Sequence, residues 1–532
     1  MNTLQGTGAL ARLILRLDRI RLTAWVVALG LVPVGTASAF QGLYETEAAR
    51  EQFAATVTSN PAFTALLGPL YDSSIGGLTA WRIGTLGTFL VGIMAILTMI
   101  RHTRDDEETG RRELLGATVV GRHAPLAAAS LVAVGAGVLI GGLIAIGLAG
   151  LGLPWAGSIA FGAGFAAVTL AFAAVGALTA QLTQAGSTGR GVGIGIAGFF
   201  FLLRMAGDAS EESLGWLSWL SPIGWFSRMR PFAGDEWWVF TLWIVFAVTS
   251  IVVAFSLAAR RDVGEGAFPP RPGPGRAGRS LRSPAGLAWR LQRGSLLGWT
   301  GGLAVLGGIY GAAADSIADI LEDNPQLNEV FESLGGTQTL TDTFFTAALG
   351  IIALVAAAYS IRSVLKLKGE EEALRAELVL ATDTSRSRYA WSHLAYGLVG
   401  PVVILTVAGT VAGATYGSIV GDVAGQVPRV LAAAMAQIPA VWVVTGIAMA
   451  LYGLAPRLSA VSWGALATFL LLGQLGQILQ FPQWTLNLSP FSHIPLIPAE
   501  DFLGPPLITL FVVGGALIAA GLTGFRQRDI PA

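Results

Sequence analysis

Residues 126–153 read LAAASLVAVGAGVLIGGLIAIGLAGLGL, a run without one charge. A helix that crosses a bilayer needs about 20 consecutive apolar residues, and this run exceeds that length. Leu394–Val420 is a second uncharged run, far along the chain. Working outward, the same criterion places spans at Thr23–Leu43, Ile83–Ile100, Leu126–Gly150, Ile159–Leu182, Gly191–Ala206 and Val239–Ala259. Six more follow at Leu296–Ala314, Thr343–Ile361, Leu394–Val420, Val430–Leu451, Ser459–Leu479 and Leu507–Thr523. The fold class expected is an all-α polytopic membrane protein of about 12 transmembrane helices.

Composition agrees. Charged residues make up 12% of the chain and mean hydropathy is +0.64, whereas soluble domains carry about a quarter charged residues. The 33 basic residues balance 33 acidic ones, which gives no electrostatic case for a nucleic-acid partner. Cysteine is absent, so disulfides and thiolate metal sites are excluded. The four histidines, His102, His123, His393 and His493, have no metal-ligand spacing, and no metal site is expected; His102 and His123 are expected at the headgroups. No Ser-His-Asp set is visible, so no catalytic residue is assigned. The opening ARLILRLDRIRL, residues 11–22, is interrupted by arginines and is no cleavable signal. It predicts an amphipathic elbow helix on the membrane surface, with Arg16 and Arg19 outward.

The chain divides into a first six-helix half, 1–262, a Pro/Gly/Arg-rich linker, 263–285, and a second six-helix half, 286–532. The linker composition predicts no packed element. The halves resemble each other. LARLILRLDRIRLTAW (10–25) matches AGLAWRLQRGSLLGW (285–299), WLSP (219–222) matches LNLSP (486–490), and RRD (260–262) matches QRD (527–529). Asn60-Pro61 and Asn324-Pro325 stand at matching positions of the two halves. Two charged segments share the same offset: Glu107, Glu108, Arg111, Glu113, Leu114, Ala117, Thr118 and Arg122 match Glu371, Glu372, Arg375, Glu377, Leu378, Ala381, Thr382 and Arg386. Six spans per half make the repeats parallel, a transporter habit. With both termini inside, the 33 Arg and Lys residues all face the cytoplasm except Arg50, Arg82, Arg204, Arg228, Arg230 and Arg429, as positive residues should. The aromatic, proline-rich stretches 214–238 and 479–502 predict interfacial belts, the alternative being a lid over an exit pathway.

The first charged segment, DDEETGRRELLGATVVGR, reads as a helix in which Glu107–Arg111 and Glu108–Arg112 pair at i,i+4; Glu371–Arg375 is the counterpart. This pattern, just after the second span, resembles the coupling segment of ABC exporter permeases of the type-2 class, and most closely the fused two-half permeases of actinobacterial antibiotic and multidrug export. The resemblance covers nearly the whole chain. The second segment departs from it: Ala373-Leu374 stands in place of Thr-Gly, and Asp383 follows Ala-Thr. The resemblance implies that both segments dock on a separate ABC ATPase, two copies per chain, whose closure drives alternating access. It implies a multi-pass protein of the bacterial plasma membrane.

This chain has no ATP site of its own. Walker-type loops need Gly-Lys-Ser/Thr, and neither lysine, Lys366 or Lys368, follows a glycine. GSTGRG at 186–191 reads as a tight turn. ATP and Mg are therefore expected in the partner, and no cofactor in this chain. By the same resemblance the second and fifth spans of each half line the pathway. They offer Thr85, Thr88, Phe89, Phe199, Phe200 and Phe201, then Phe344, Phe345, Gln474 and Gln477. That mixture suits amphipathic cargo such as drugs or polyketide-type antibiotics. Arg204 is the one strongly embedded charge, with Asp208 one turn on as its partner. The rival readings are a secondary carrier independent of ATP, or an ABC exporter of lipid or peptide.

Overall fold

The computed structural model describes all residues except 1–2, 59–60, 117–118, 210, 263, 269–274, 277, 323–336, 476–481, 496–503 and 530–532. Expectations for Asn60, Ala117, Thr118, Asn324, Pro325 and Gln477, and for the side chain of Gln474, lie outside the described residues. The chain forms two compact units, Met1–Pro272 and Gly273–Ala532. Among the described residues there is no strand.

The first unit holds α1 (Thr7–Leu17), α2 (Arg19–Leu43), α3 (Ile75–Ile100), α4 (Ala124–Gly150), α5 (Trp155–Leu182), α6 (Gly186–Ala209) and α7 (Phe240–Arg260). The second holds α8 (Pro284–Glu322), α9 (Thr337–Glu372), α10 (Arg386–Val420), α11 (Val423–Ala436), α12 (Ile438–Leu454), α13 (Val461–Leu475) and α14 (Gly504–Gln527). Among the described residues, 11 segments are long and apolar enough to cross a membrane. The protein is an all-α, multi-span membrane protein. The expected span at Ser459–Leu479 is represented by the shorter apolar helix α13.

Several boundaries differ from the hydropathy reading, each for a local reason. α3 starts at Ile75, not Ile83, because the Ser74 side chain caps it, accepting from the Gly77 amide at 3.1 Å. α10 starts at Arg386, not Leu394, capped in the same way by Ser385. The expected span Val430–Leu451 runs from Val423 to Leu454 and is broken at Gln437. Pro439 follows that break and has no N–H to give to the preceding turn.

In lipid there is no hydrophobic drive between helices, so close packing through small residues must supply the attraction. The α4–α5 contact shows this. A Cβ on Gly141 would collide with the Gly162 carbonyl oxygen, and one on Gly162 would collide with that of Gly141. In the second unit Gly307 and Gly311 of α8 lie as tightly against the carbonyls of Ala408 and Ala412 on α10.

The middle of the aromatic stretch 214–238 is packed inside the protein, while Trp216, Trp219, Trp237 and Trp238 to either side are exposed. Its short helix Gly224–Met229 is part of the core. Phe226 is 2% exposed and fills niches left by Gly84 and Gly164, while Phe232 fills those at Gly76 and Gly157. The glycines on α3 and α5 create sockets, and these rings are what fit them.

Gly141→Leu should force α4 and α5 apart at a cost of about 1–3 kcal/mol. Gly142→Leu, whose Cβ would meet nothing within 4 Å, should be neutral. Melting temperatures of the two variants in detergent decide this.

Candidate functional site

The first charged segment is not one helix. After α3 the chain makes a π-helical turn, Arg101–Asp105, then a single α turn, Asp106–Glu108. Gly110 has φ +72°, a left-handed conformation glycine takes without steric cost, and the short helix Arg111–Gly116 follows. This break separates the acids from the arginines that sequence spacing had paired with them. Arg111 donates instead to Asp106 at 3.1 Å.

Glu107 turns inward, its side chain 1% exposed. It receives Arg104 at 2.6 Å, Arg112 in close contact, and both terminal nitrogens of Arg261 at 2.8 and 2.9 Å. Arg261 lies just beyond α7. Its Nε donates to the Gln181 side chain at 2.6 Å, and Arg104 Nε donates to the Ala180 carbonyl at 3.0 Å. Both arginines also donate to the Glu265 carbonyl at 2.8 Å. One carboxylate thus joins the ends of α3, α5 and α7. Burial, then the neighbouring Arg261, Arg104 and Arg122, lower Arg112 to about 10, so it stays charged at neutral pH. Burial lowers Arg261 as well.

The start of the linker is packed, contrary to its composition. Ala267 and Phe268 amides donate to the carbonyls of Gln181 and Leu182 at 2.9 and 3.2 Å. The tight turn expected at Gly186–Gly191 is instead the first turn of α6. The Gly186 amide donates to Glu108 at 3.0 Å, and Arg190 donates to Asp105 at 2.5 and 2.7 Å. Acids suit this position, where the helix presents free N–H groups and a positive dipole end. His102 is buried within the protein, 2.7 Å from Asp18 at the α1–α2 junction.

The second segment reaches the same arrangement with different residues. Glu371 pairs with Arg528, just beyond α14, and accepts from the Tyr452 hydroxyl of α12 at 2.8 Å. Arg528 lies over the Tyr452 ring at 4.7 Å. Arg375 donates to Glu370 at 2.7 and 3.1 Å. Leu374, which occupies the position of Gly110, has φ +55°, so the turn persists without its glycine. Gln292, in the place of Asp18, is buried against His393 at 3.2 Å and against Ser363. A further link recurs. Arg122 donates to the carbonyls of Ala258 and Arg261 at 3.2 and 2.8 Å. Arg386 donates to those of Arg526 and Arg528 at 3.3 and 2.7 Å.

The candidate docking residues therefore fall into two sets. Glu107, Glu371, Arg122 and Arg386 hold their own unit together, and Glu108 caps α6. Arg111, Glu113, Glu372, Arg375 and Glu377 are exposed, as are Leu114 at 76% and Leu378 at 74%.

The candidate pathway residues are mostly turned inward. Thr85 donates to the Leu67 carbonyl at 2.7 Å and Thr88 to that of Gly84 at 2.7 Å; both are buried. Phe89 packs on Phe201 at 5.1 Å, and Phe200 is partly buried beside Phe172 and Phe246. Phe199 is 59% exposed. Phe344 is partly buried against the second core, and Phe345 is fully buried beside Tyr416.

Arg204 pairs with Asp208 at 3.3 Å, as its spacing implies. It also donates to Thr85 Oγ1 at 3.1 Å and to the Ala65 and Leu66 carbonyls. Asp208 further accepts from Ser218 at 2.6 Å and faces Arg228 at 3.5 Å. Thr85 borders a cavity of about 30 Å³, also lined by Leu67, Tyr71, Trp81, Phe226 and Arg230. That is room for about one or two waters.

Residues 281–526 match the family model described as the multidrug efflux system permease Rv1217c, C-terminal domain. Over 527 residues the chain is 44% identical to the multidrug efflux system permease protein Rv1217c of Mycobacterium tuberculosis (strain ATCC 25618 / H37Rv), covering 99% of this chain and 95% of that protein.

Arg204→Met should leave Asp208 a buried charge short of a partner and cost about 3–5 kcal/mol. Asp208→Asn in the same background should recover part of the loss, measured as a double-mutant cycle on detergent melting. Gly110→Leu should cost about 1–2 kcal/mol through left-handed strain, while Leu374→Gly should cost nothing.

Proposed function

This chain belongs to the family of the multidrug efflux system permease Rv1217c, and on that premise we propose that it is the membrane permease of an ATP-driven exporter of amphipathic compounds. Its cargo is drugs or polyketide-type antibiotics, moved outward by alternating access. Energy comes from a separate ABC ATPase, two copies per chain, which holds the ATP and Mg.

The observation that carries this reading is the pair of exposed leucines, Leu114 and Leu378, each beside an exposed glutamate, Glu113 and Glu377. Most of the acids at the start of each segment are consumed by internal bonds. What remains outward is a short apolar edge with a charged rim, the make-up of a protein contact rather than of a solvated loop. Two such edges, one in each half at matching positions, suit two copies of one partner.

The excess of Arg and Lys on these segments and on the linker supports their lying in the cytoplasm, in the plasma membrane of a bacterium, with both termini inside. The basic residues this places elsewhere are largely engaged within the protein. Arg204 and Arg228 face Asp208, Arg429 pairs with Asp342, Arg50 donates to the Tyr44 and Glu45 carbonyls, and Arg230 stacks on Tyr71.

Proteoliposomes containing the permease and its ATPase should move a fluorescent amphipathic drug only when ATP is present. Transport at the full rate without the ATPase overturns the reading in favour of a secondary carrier. Leu114→Asp together with Leu378→Asp should reduce retention of the ATPase on the purified permease by at least about ten-fold, the loss of one interface anchor.

A further inference from the structure

Within each unit a single carboxylate at the end of the second span is bonded to an arginine placed after the last span. Glu107 holds Arg261, and Glu371 holds Arg528. Both members of each pair stand at corresponding places in the two halves. Both knots also take in a residue near the end of the fourth span, Gln181 through Arg261 and Tyr452 directly. A second tie runs from the start of the third span, where Arg122 and Arg386 each donate to one carbonyl in the last turn of α7 or α14 and to one just beyond it.

The bonded partners are far apart in the chain, by 154 positions in one unit and 157 in the other, so helical propensity alone does not produce them. The residues at the fourth-span position differ, glutamine in one unit and tyrosine in the other, yet the topology is the same. A purely local role such as capping α3 needs no partner beyond the sixth span. Solubility does not explain it either, since Glu107 is 1% exposed and Glu371 is 10% exposed at the side chain.

We propose that Glu107 and Glu371 are positioning residues for energy coupling. Each fixes the exposed tip of its segment to the cytoplasmic ends of the fourth and sixth spans of its half. Movement imposed on the tip is then delivered to those two spans as well as to the second span, from which the segment hangs. Coupling between distant sites is carried by hydrogen-bonded networks and rigid elements, and this knot is such a junction. The partner touches Leu114 and Leu378; the two glutamates touch only their own chain. The inference rests on the ATP-driven reading above.

The test uses the full permease with its ATPase in proteoliposomes, comparing wild type, Glu107→Gln, Glu371→Gln and Leu114→Asp. Three quantities are read: affinity for the ATPase, ATP hydrolysis, and drug transported per ATP. Glu107→Gln should bind the ATPase as wild type does, yet transport about ten-fold less drug per ATP, within the usual span of coupling energies. Leu114→Asp should instead lose affinity, and Glu107→Asp should restore part of the transport ratio. If Glu107→Gln and Glu371→Gln both keep the wild-type ratio, or lose affinity as Leu114→Asp does, the proposal falls. It falls too if both variants fail to fold, because their role is then structural. Should wild type itself transport without the ATPase, the parent reading has failed instead, and that ATPase-free measurement tells the two apart.

Discussion

A charge removed from water survives only where its partners are already in place. Glu107 is held by three guanidiniums drawn from three stretches of chain: the π-helical turn, the short helix beyond Gly110, and the residues after α7. Arg104 and Arg261 in turn satisfy the Ala180, Gln181 and Glu265 groups. The ends of α3, α5 and α7 are thereby fixed together by a set of bonds that must form as a whole, since any one missing strands a buried charge.

The spans were legible because the property that makes them spans is one-dimensional. An uncharged run such as 126–153 needs no knowledge of its neighbours to be read. The Arg204–Asp208 pair was legible for the same reason, both groups standing one turn apart on one helix. The partners of Glu107 were not. Spacing offers Arg111, but Gly110 ends the helix first, and the stronger competitor, Arg261, comes from beyond the sixth span. The burial of Trp225, Phe226 and Phe232 was not legible either. Their composition suits an interface, and only the three-dimensional run of glycines on α3 and α5 reveals the sockets that Phe226 and Phe232 occupy.

The two units solve one problem with different side chains. Gly110 and Leu374 both turn the chain through left-handed φ. Gln181 and Tyr452 both contribute the fourth-span member of the knot. Asp18 and Gln292 both anchor the elbow to buried histidines, though to histidines on different helices. Substitution has altered the chemistry at each position while the connections between helix ends stayed constant.

The π-helical turn at Arg101–Asp105 sets the angular phase of everything beyond it. Each residue of an α-helix advances its side chain by about 100°, and a wide turn accommodates one residue more than an α turn does. The second segment has no such turn; α9 runs unbroken to Glu372. Trimming one residue from Arg101–Asp105 would therefore rotate the acidic cluster by about a quarter of a revolution, swinging Glu107 off its arginines and presenting a neighbouring acid to them.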